Sequence, residues 1–156
     1  MVLPGPPYVA VVGASSATPK DLSDAEAVGR LLAERGAYVV CGGRGGVMAA
    51  VSKGCAQAGG LVIGMLPGND RSDANEWVSV AVPTGIGELR NGLIVRTADV
   101  MIAIGGSYGT LSEVALGLQR GLKVYGLHTW AIEGITAADT PEEAVERALL
   151  VAGPRL

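Results

Sequence analysis

The chain has 156 residues, of which 49% are hydrophobic, 17% are charged and 24 are glycine. That length fits a single domain with one sizeable core, and so apolar a chain is not disordered. The formal net charge of −3 argues against a nucleic-acid partner, because such binders carry a basic surplus.

Aromatic residues make up 4% and phenylalanine is absent, so a base-stacking platform for single strands is not expected. The apolar runs are about five to seven residues long, against the roughly 20 that a membrane span needs. Residues Met1-Val-Leu-Pro-Gly-Pro-Pro7 have neither a charged leader nor a long apolar stretch. The expectation is a cytoplasmic protein with no signal peptide and no membrane partner, residues 1–7 being an N-terminal tail on a single domain spanning 1–156. Cys41 and Cys55 have neither metal-ligand spacing nor the pattern of a disulfide framework, and each reads as a small buried hydrophobe. His128 is the sole histidine. A histidine zinc site or a serine–histidine triad would run through it alone, so no metal is expected.

Along the chain, strand and helix alternate. Tyr8–Val12 is a β-branched run that empties into Gly13-Ala-Ser-Ser16. Ser23-Asp-Ala-Glu26 has the pattern of a capping box, with Ala27, Val28, Leu31 and Leu32 at helical spacing and Gly36 as the stop. Tyr38–Cys41 is a second strand, which leads into Gly42-Gly-Arg-Gly-Gly46 and a helix from Val47 to Ala58. Leu61–Leu66 is a third strand. Residues 67–75 are polar and turn-rich, and Val78–Val82 follows as a short strand. Ile86–Ala98 reads as a helix and Val100–Ile104 as a strand. Gly105-Gly-Ser-Tyr-Gly109 then opens a helix from Thr110 to Gln119. Lys123–Leu127 is the last predicted strand. Thr140-Pro-Glu-Glu143 combines a cap, a first-turn proline and a glutamate, and opens a C-terminal helix to Val151. Nearly all-apolar strands alternating with helices predict an α/β fold, a doubly wound Rossmann-like parallel sheet with helices on both faces.

In such a sheet ligands sit beyond the C-terminal strand ends. Three loops of small residues fall there: 13–16, 42–46 and 105–109. Glycine loops at helix starts present backbone N–H groups that an anion can approach closely; glycines also simply make tight turns. The first loop has only Gly13, short of the dinucleotide fingerprint, and Gly42–Gly46 lacks the following lysine of a phosphate loop. A mononucleotide or similar phosphorylated molecule is therefore expected. Thr110-x-x-Glu113 reads either as a capping box or as a carboxylate placed beside the loop. Arg90 reads either as a solvated side chain or as a guanidinium that orients a phosphate or ribose. Asp70 and Arg71, in a loop that could be a lid or a surface turn, either touch a ligand or face water.

Arg90 and the run Gly105-Gly-Ser-Tyr-Gly-Thr-Leu-Ser-Glu113 resemble the LONELY GUY family, once labelled lysine decarboxylases. That family carries an arginine motif and then Pro-Gly-Gly-x-Gly-Thr-x-x-Glu. Asp99 also falls on a family aspartate, and Gly42–Gly46 with Val47-Met48 is similar to the family's earlier glycine-rich turn. The similarity covers roughly residues 8–128. Gly105 stands in place of the family proline, Ser107 in place of a glycine and Asn91 in place of a lysine. Closer is a subgroup typified by molybdenum-cofactor carrier proteins, whose pattern is similar to Leu66-Pro-Gly-Asn-Asp-Arg71, Pro83-Thr-Gly-Ile-Gly87, Arg90-Asn91 and Ile104–Glu113.

The resemblance implies a nucleotide-binding protein that hydrolyses the N-glycosidic bond of a nucleoside 5′-monophosphate. This phosphoribohydrolase reaction requires no cofactor. The alternative is a non-catalytic carrier of the molybdenum cofactor or a related phosphorylated pterin. In the hydrolase, Arg90 and Glu113 are the catalytic residues. In either case Gly13, Ala14, Ser15, Gly42, Gly43, Arg44, Gly45, Asn91, Gly106, Ser107, Tyr108, Gly109 and Thr110 hold the ligand and its phosphate. Decarboxylation through pyridoxal phosphate needs an enclosed Schiff-base lysine; Lys53 and Lys123 are poorly placed for one, and only Lys20 could fall near the C-terminal strand ends. Twelve basic and fifteen acidic residues leave much surface uncovered by charge, which with the resemblance predicts a homodimer or higher homo-oligomer.

Overall fold

The computed structural model describes residues 5–153. Residues 1–4 of the predicted tail lie outside that range, while Pro7 O already accepts the Tyr38 N–H at 2.9 Å. The strands are β1 (Tyr8–Gly13), β2 (Tyr38–Cys41), β3 (Val62–Leu66), β4 (Val80–Pro83), β5 (Val100–Ile104), β6 (Val124–Leu127) and β7 (Ile135–Ala137). They pair in the order β4-β3-β2-β1-β5-β6-β7, every pairing parallel. The helices are α1 (Pro19–Glu34), α2 (Val47–Gln57), α3 (Asn91–Thr97), α4 (Tyr108–Arg120) and α5 (Pro141–Ala152).

The period of two along each strand divides the core between the faces of the sheet. Val9 and Val11 of β1 join Ala25, Val28 and Leu32 of α1, Val51 and Cys55 of α2 and Val145 of α5. Ala10 and Val12 join Ile94 and Val95 of α3 and Val114 of α4. The chain winds outward from β1 to β4, then returns to β5 on the other side of β1. The C-terminal ends of β1 and β5 are therefore a topological switch point, where doubly wound sheets bind ligands.

Two predicted helix starts move by more than a turn. Helix α1 begins at Pro19, with Thr18 as N-cap; Thr18 Oγ1 accepts the Asp21 N–H at 3.1 Å, and Pro19 sits in the first turn. The predicted box at Ser23 lies inside the helix. The earlier box wins because a first-turn proline is already shaped for helix, and Asp24 is instead buried, paired with Lys20 at 2.7 Å. The helix expected from Ile86 opens as a 3-10 turn, Gly87–Arg90, and becomes α-helical at Asn91. Gly85 and Gly87 have φ of 69° and 62°, left-handed values that an α-helix cannot include. Strand β7 was not expected; it is three residues at the sheet edge.

Helices α1 and α2 cross closely enough that a Cβ on Gly54 would strike the Glu26 carbonyl, and one on Gly29 the Val51 carbonyl. Both obstacles are backbone and cannot rotate away. Gly54→Ala is expected to lower stability by about 1–3 kcal/mol, although alanine is the better helix former. Urea denaturation would show it, and an unchanged midpoint would contradict the close crossing.

Candidate functional site

At the switch point lies a cavity of about 220 Å³. Gly13, Ala14 and Ser15 line it beyond β1, and Gly42 and Met48 line it beyond β2. Glu88, Arg90 and Asn91 come from the turn into α3, and Ser107, Gly109, Thr110 and Glu113 from the start of α4. Ten predicted site residues thus share one wall, and five do not line it. Gly43 packs against Gly64 and Leu66. Arg44 and Gly45 are exposed. Gly106 packs on Thr110, and Tyr108 is 82% exposed with its ring stacked on Trp130 at 6.2 Å between centroids.

Arg90 is half-buried. Its Nη1 donates to Gly42 O at 2.8 Å and to Met65 O at 2.6 Å, so two strand-end carbonyls fix the guanidinium. A Cβ at position 42 would lie 2.5 Å from Nη1. Glycine there leaves room for the arginine's approach and for Met48 Sδ, which a Cβ would also crowd. Nε is buried and has no hydrogen-bond partner. Burial lowers the Arg90 pKa, and the Glu113 charge pulls it back up.

The start of α4 decides between the two readings of Glu113. Ser107, not Thr110, is the N-cap of α4, and the Ser107 N–H donates to Thr110 Oγ1 at 3.3 Å. Glu113 lies well inside the helix, 8% exposed. Thr110-x-x-Glu113 is therefore no capping box, and the spacing instead puts both side chains on the cavity wall. Burial pushes the Glu113 carboxyl up to about 8, an effect that Arg90 only partly offsets. Among the described residues no ion pair joins Arg90 to Glu113. At neutral pH the wall thus carries a guanidinium beside a neutral, proton-donating carboxyl, and the exposed Glu88 at the rim is screened by water. Such a wall can hold an anion and can donate one proton.

The remaining candidates lie elsewhere. Asp99 accepts the Tyr8 N–H at 2.9 Å, at the opposite edge of the sheet. Asp70 caps a 3-10 turn through the Ser72 N–H at 2.8 Å. Cys41 is buried against Ser52 Oγ at 3.6 Å; burial raises its pKa and carries that of Cys55 to about 11. Lys20, Lys53 and Lys123 do not line the cavity. His128 Nε2 is 3.4 Å from Asp24 Oδ2.

Asn75, which the sequence reading missed, supports the site without lining the cavity. Its backbone N–H donates to Gly43 O at 2.8 Å, and its Nδ2 donates to Arg44 O at 2.9 Å. Its Oδ1 accepts the Trp77 N–H at 3.0 Å. The 67–76 loop is thereby clamped to the glycine loop whose Gly42 holds Arg90. No spacing signal marks Asn75, because it acts through contacts some thirty residues away in sequence.

The sheet order and the switch-point cavity place this chain among the doubly wound Rossmann-like α/β proteins. It belongs to the SLOG cluster4 family, whose model matches residues 6–152. An uncharacterized protein of Archaeoglobus fulgidus is 40% identical over 138 residues, 88% of this chain and 91% of that one. The molybdenum cofactor binding protein from the phototrophic bacterium Rippkaea orientalis is 36% identical, with a TM-score of 0.87 over 91% of this chain and 94% of that one. The Moco carrier protein from Chlamydomonas reinhardtii is 29% identical, with a TM-score of 0.86 over 94% of this chain and 97% of that one.

Proposed function

We propose that the switch-point cavity binds the anionic part of a phosphorylated heterocyclic ligand, and that the protein is a carrier for a pterin of the molybdenum-cofactor kind. The observation that carries this reading is the guanidinium held on the wall. Arg90 is fixed by two carbonyls, and burial pushes the neighbouring Glu113 carboxyl up, toward its neutral form. An anion there meets a guanidinium beside a carboxyl whose neutral form does not oppose it. The likeness to molybdenum-cofactor binding and carrier proteins supports the pterin.

Glu113 also favours a second reading. A neutral carboxyl can protonate a departing base, the general-acid half of N-glycosidic hydrolysis. Incubation with a panel of nucleoside 5′-monophosphates separates the two. The carrier reading expects tight binding of a phosphorylated ligand without release of base. Base release that falls about 100-fold in Glu113→Gln, the order a positioned acid contributes, would establish the hydrolase instead.

The assembly proposed here is a homodimer. Leu89, Leu93 and Leu116 are 78%, 40% and 40% exposed, and Leu89 lies between Glu88 and Arg90 of the cavity wall. Apolar exposure of this kind marks an interface. Light scattering at micromolar concentration is expected to give the mass of two chains for the wild type and of one for Leu89→Asp. A wild-type protein of one-chain mass would contradict it.

A further inference from the structure

The central cavity, about 220 Å³, is smaller than the roughly 300–1,000 Å³ of sites that enclose a whole small-molecule ligand. A ligand that puts its anion against Arg90 must extend into an adjoining space. Ser15 lies on the wall of a second cavity of about 520 Å³ as well as on the central one. That second space runs past Ser16 to Ala49, Ala50 and Trp77. The cavity beside Trp130, about 590 Å³, shares no lining residue with the central one. Continuity therefore favours the Trp77 side.

The chemistry of this second cavity suits a ring. Trp77 is half-buried and its backbone is tied to Asn75, the residue that also clamps the glycine loop. The backbone at Trp77 is thus fixed by the same residue that clamps the glycine loop beside the anion site. Small side chains at Ala49 and Ala50 leave room for a flat ligand group, and Lys53 and Glu26, 3.7 Å apart, offer a donor and an acceptor to its polar edge.

We propose that the planar heteroaromatic ring of the phosphorylated ligand binds in the Trp77 cavity, stacked on the indole, while its anionic end occupies the central cavity. This rests on the anion reading of the central cavity. Stacking on an aromatic face tolerates any flat heterocycle, so the indole recognises the class of ring, and the polar edge then distinguishes its members.

The test compares AMP, which has a ring, with ribose 5-phosphate, which has none. Trp77→Leu is expected to weaken AMP binding about tenfold, the order of one lost stacking contact, and to leave ribose 5-phosphate binding within about twofold. Trp77→Tyr is expected to restore AMP binding, and Ala49→Gln to weaken AMP selectively by filling the cavity without touching the indole. In a Trp130→Leu background, AMP should quench the remaining tryptophan emission and ribose 5-phosphate should not. The proposal is overturned if Trp77→Leu and Ala49→Gln both bind AMP as the wild type does while Arg90→Ala does not; the anion reading then stands without it. If neither probe binds wild-type protein, the anion reading fails and this inference with it.

Discussion

Arg90→Ala is expected to weaken binding of a phosphorylated probe such as AMP by about 100-fold or more, the scale of truncating a buried, hydrogen-bonded charge. The same change strands Gly42 O and Met65 O, which now share Nη1. Leaving a buried acceptor unpaired costs about 1–3 kcal/mol, so stability should fall as well. Arg90→Lys should recover little of either, because an ammonium that bridges both carbonyls keeps only one donor for a ligand and lacks the planar fork of a guanidinium. Calorimetric titration and urea denaturation read the two effects separately. An Arg90→Ala protein that binds AMP like the wild type would remove the arginine from the site.

Glu113→Gln should abolish a pH dependence of stability. The carboxyl is pushed from an ordinary 4.5 to about 8 in the folded protein. Between those values the native state holds a proton that the unfolded chain has released. Stability is therefore full below about pH 4.5 and is lost as pH rises through about 8, at up to about 1.4 kcal/mol per pH unit. Urea midpoints taken at about pH 5 and about pH 8 should differ for the wild type and converge for the glutamine variant, which keeps the neutral shape. Ligand affinity should follow the same course, since ionised Glu113 repels an anion. Equal slopes in wild type and variant would show that Glu113 titrates as an exposed carboxylate does.

Much of this was legible because glycine and β-branched residues report backbone geometry directly. The apolar runs at Tyr8, Tyr38, Val100 and Lys123 marked the central strands, and the loops after β1, β2 and β5 do converge on one cavity. Cap patterns were less decisive. Ser23 offered a capping box as the start of α1, but the helix begins earlier, at Pro19 behind Thr18, and the box's Asp24 is buried inside it. Thr110 and Glu113 have the spacing of a cap, but the helix begins three residues earlier, and this moves Glu113 from the helix end to the cavity wall. Gly43, Arg44 and Gly45 were read as ligand-binding because they belong to a glycine loop beyond the C-terminal end of a strand. In three dimensions the loop turns away after Gly42, and its carbonyls are taken up by Asn75. A long-range clamp of that kind has no local sequence pattern, and neither does the shift that burial imposes on Glu113.

Native mass spectrometry of the protein as purified, wild type beside Arg90→Ala, tests most directly whether the switch-point cavity is an anion site. The expected result is a phosphorylated small molecule carried by the wild type and missing from the variant, with AMP added to the wild type filling the same site. The same molecule retained equally by both proteins, or a wild type that carries nothing and takes up no AMP, would contradict it.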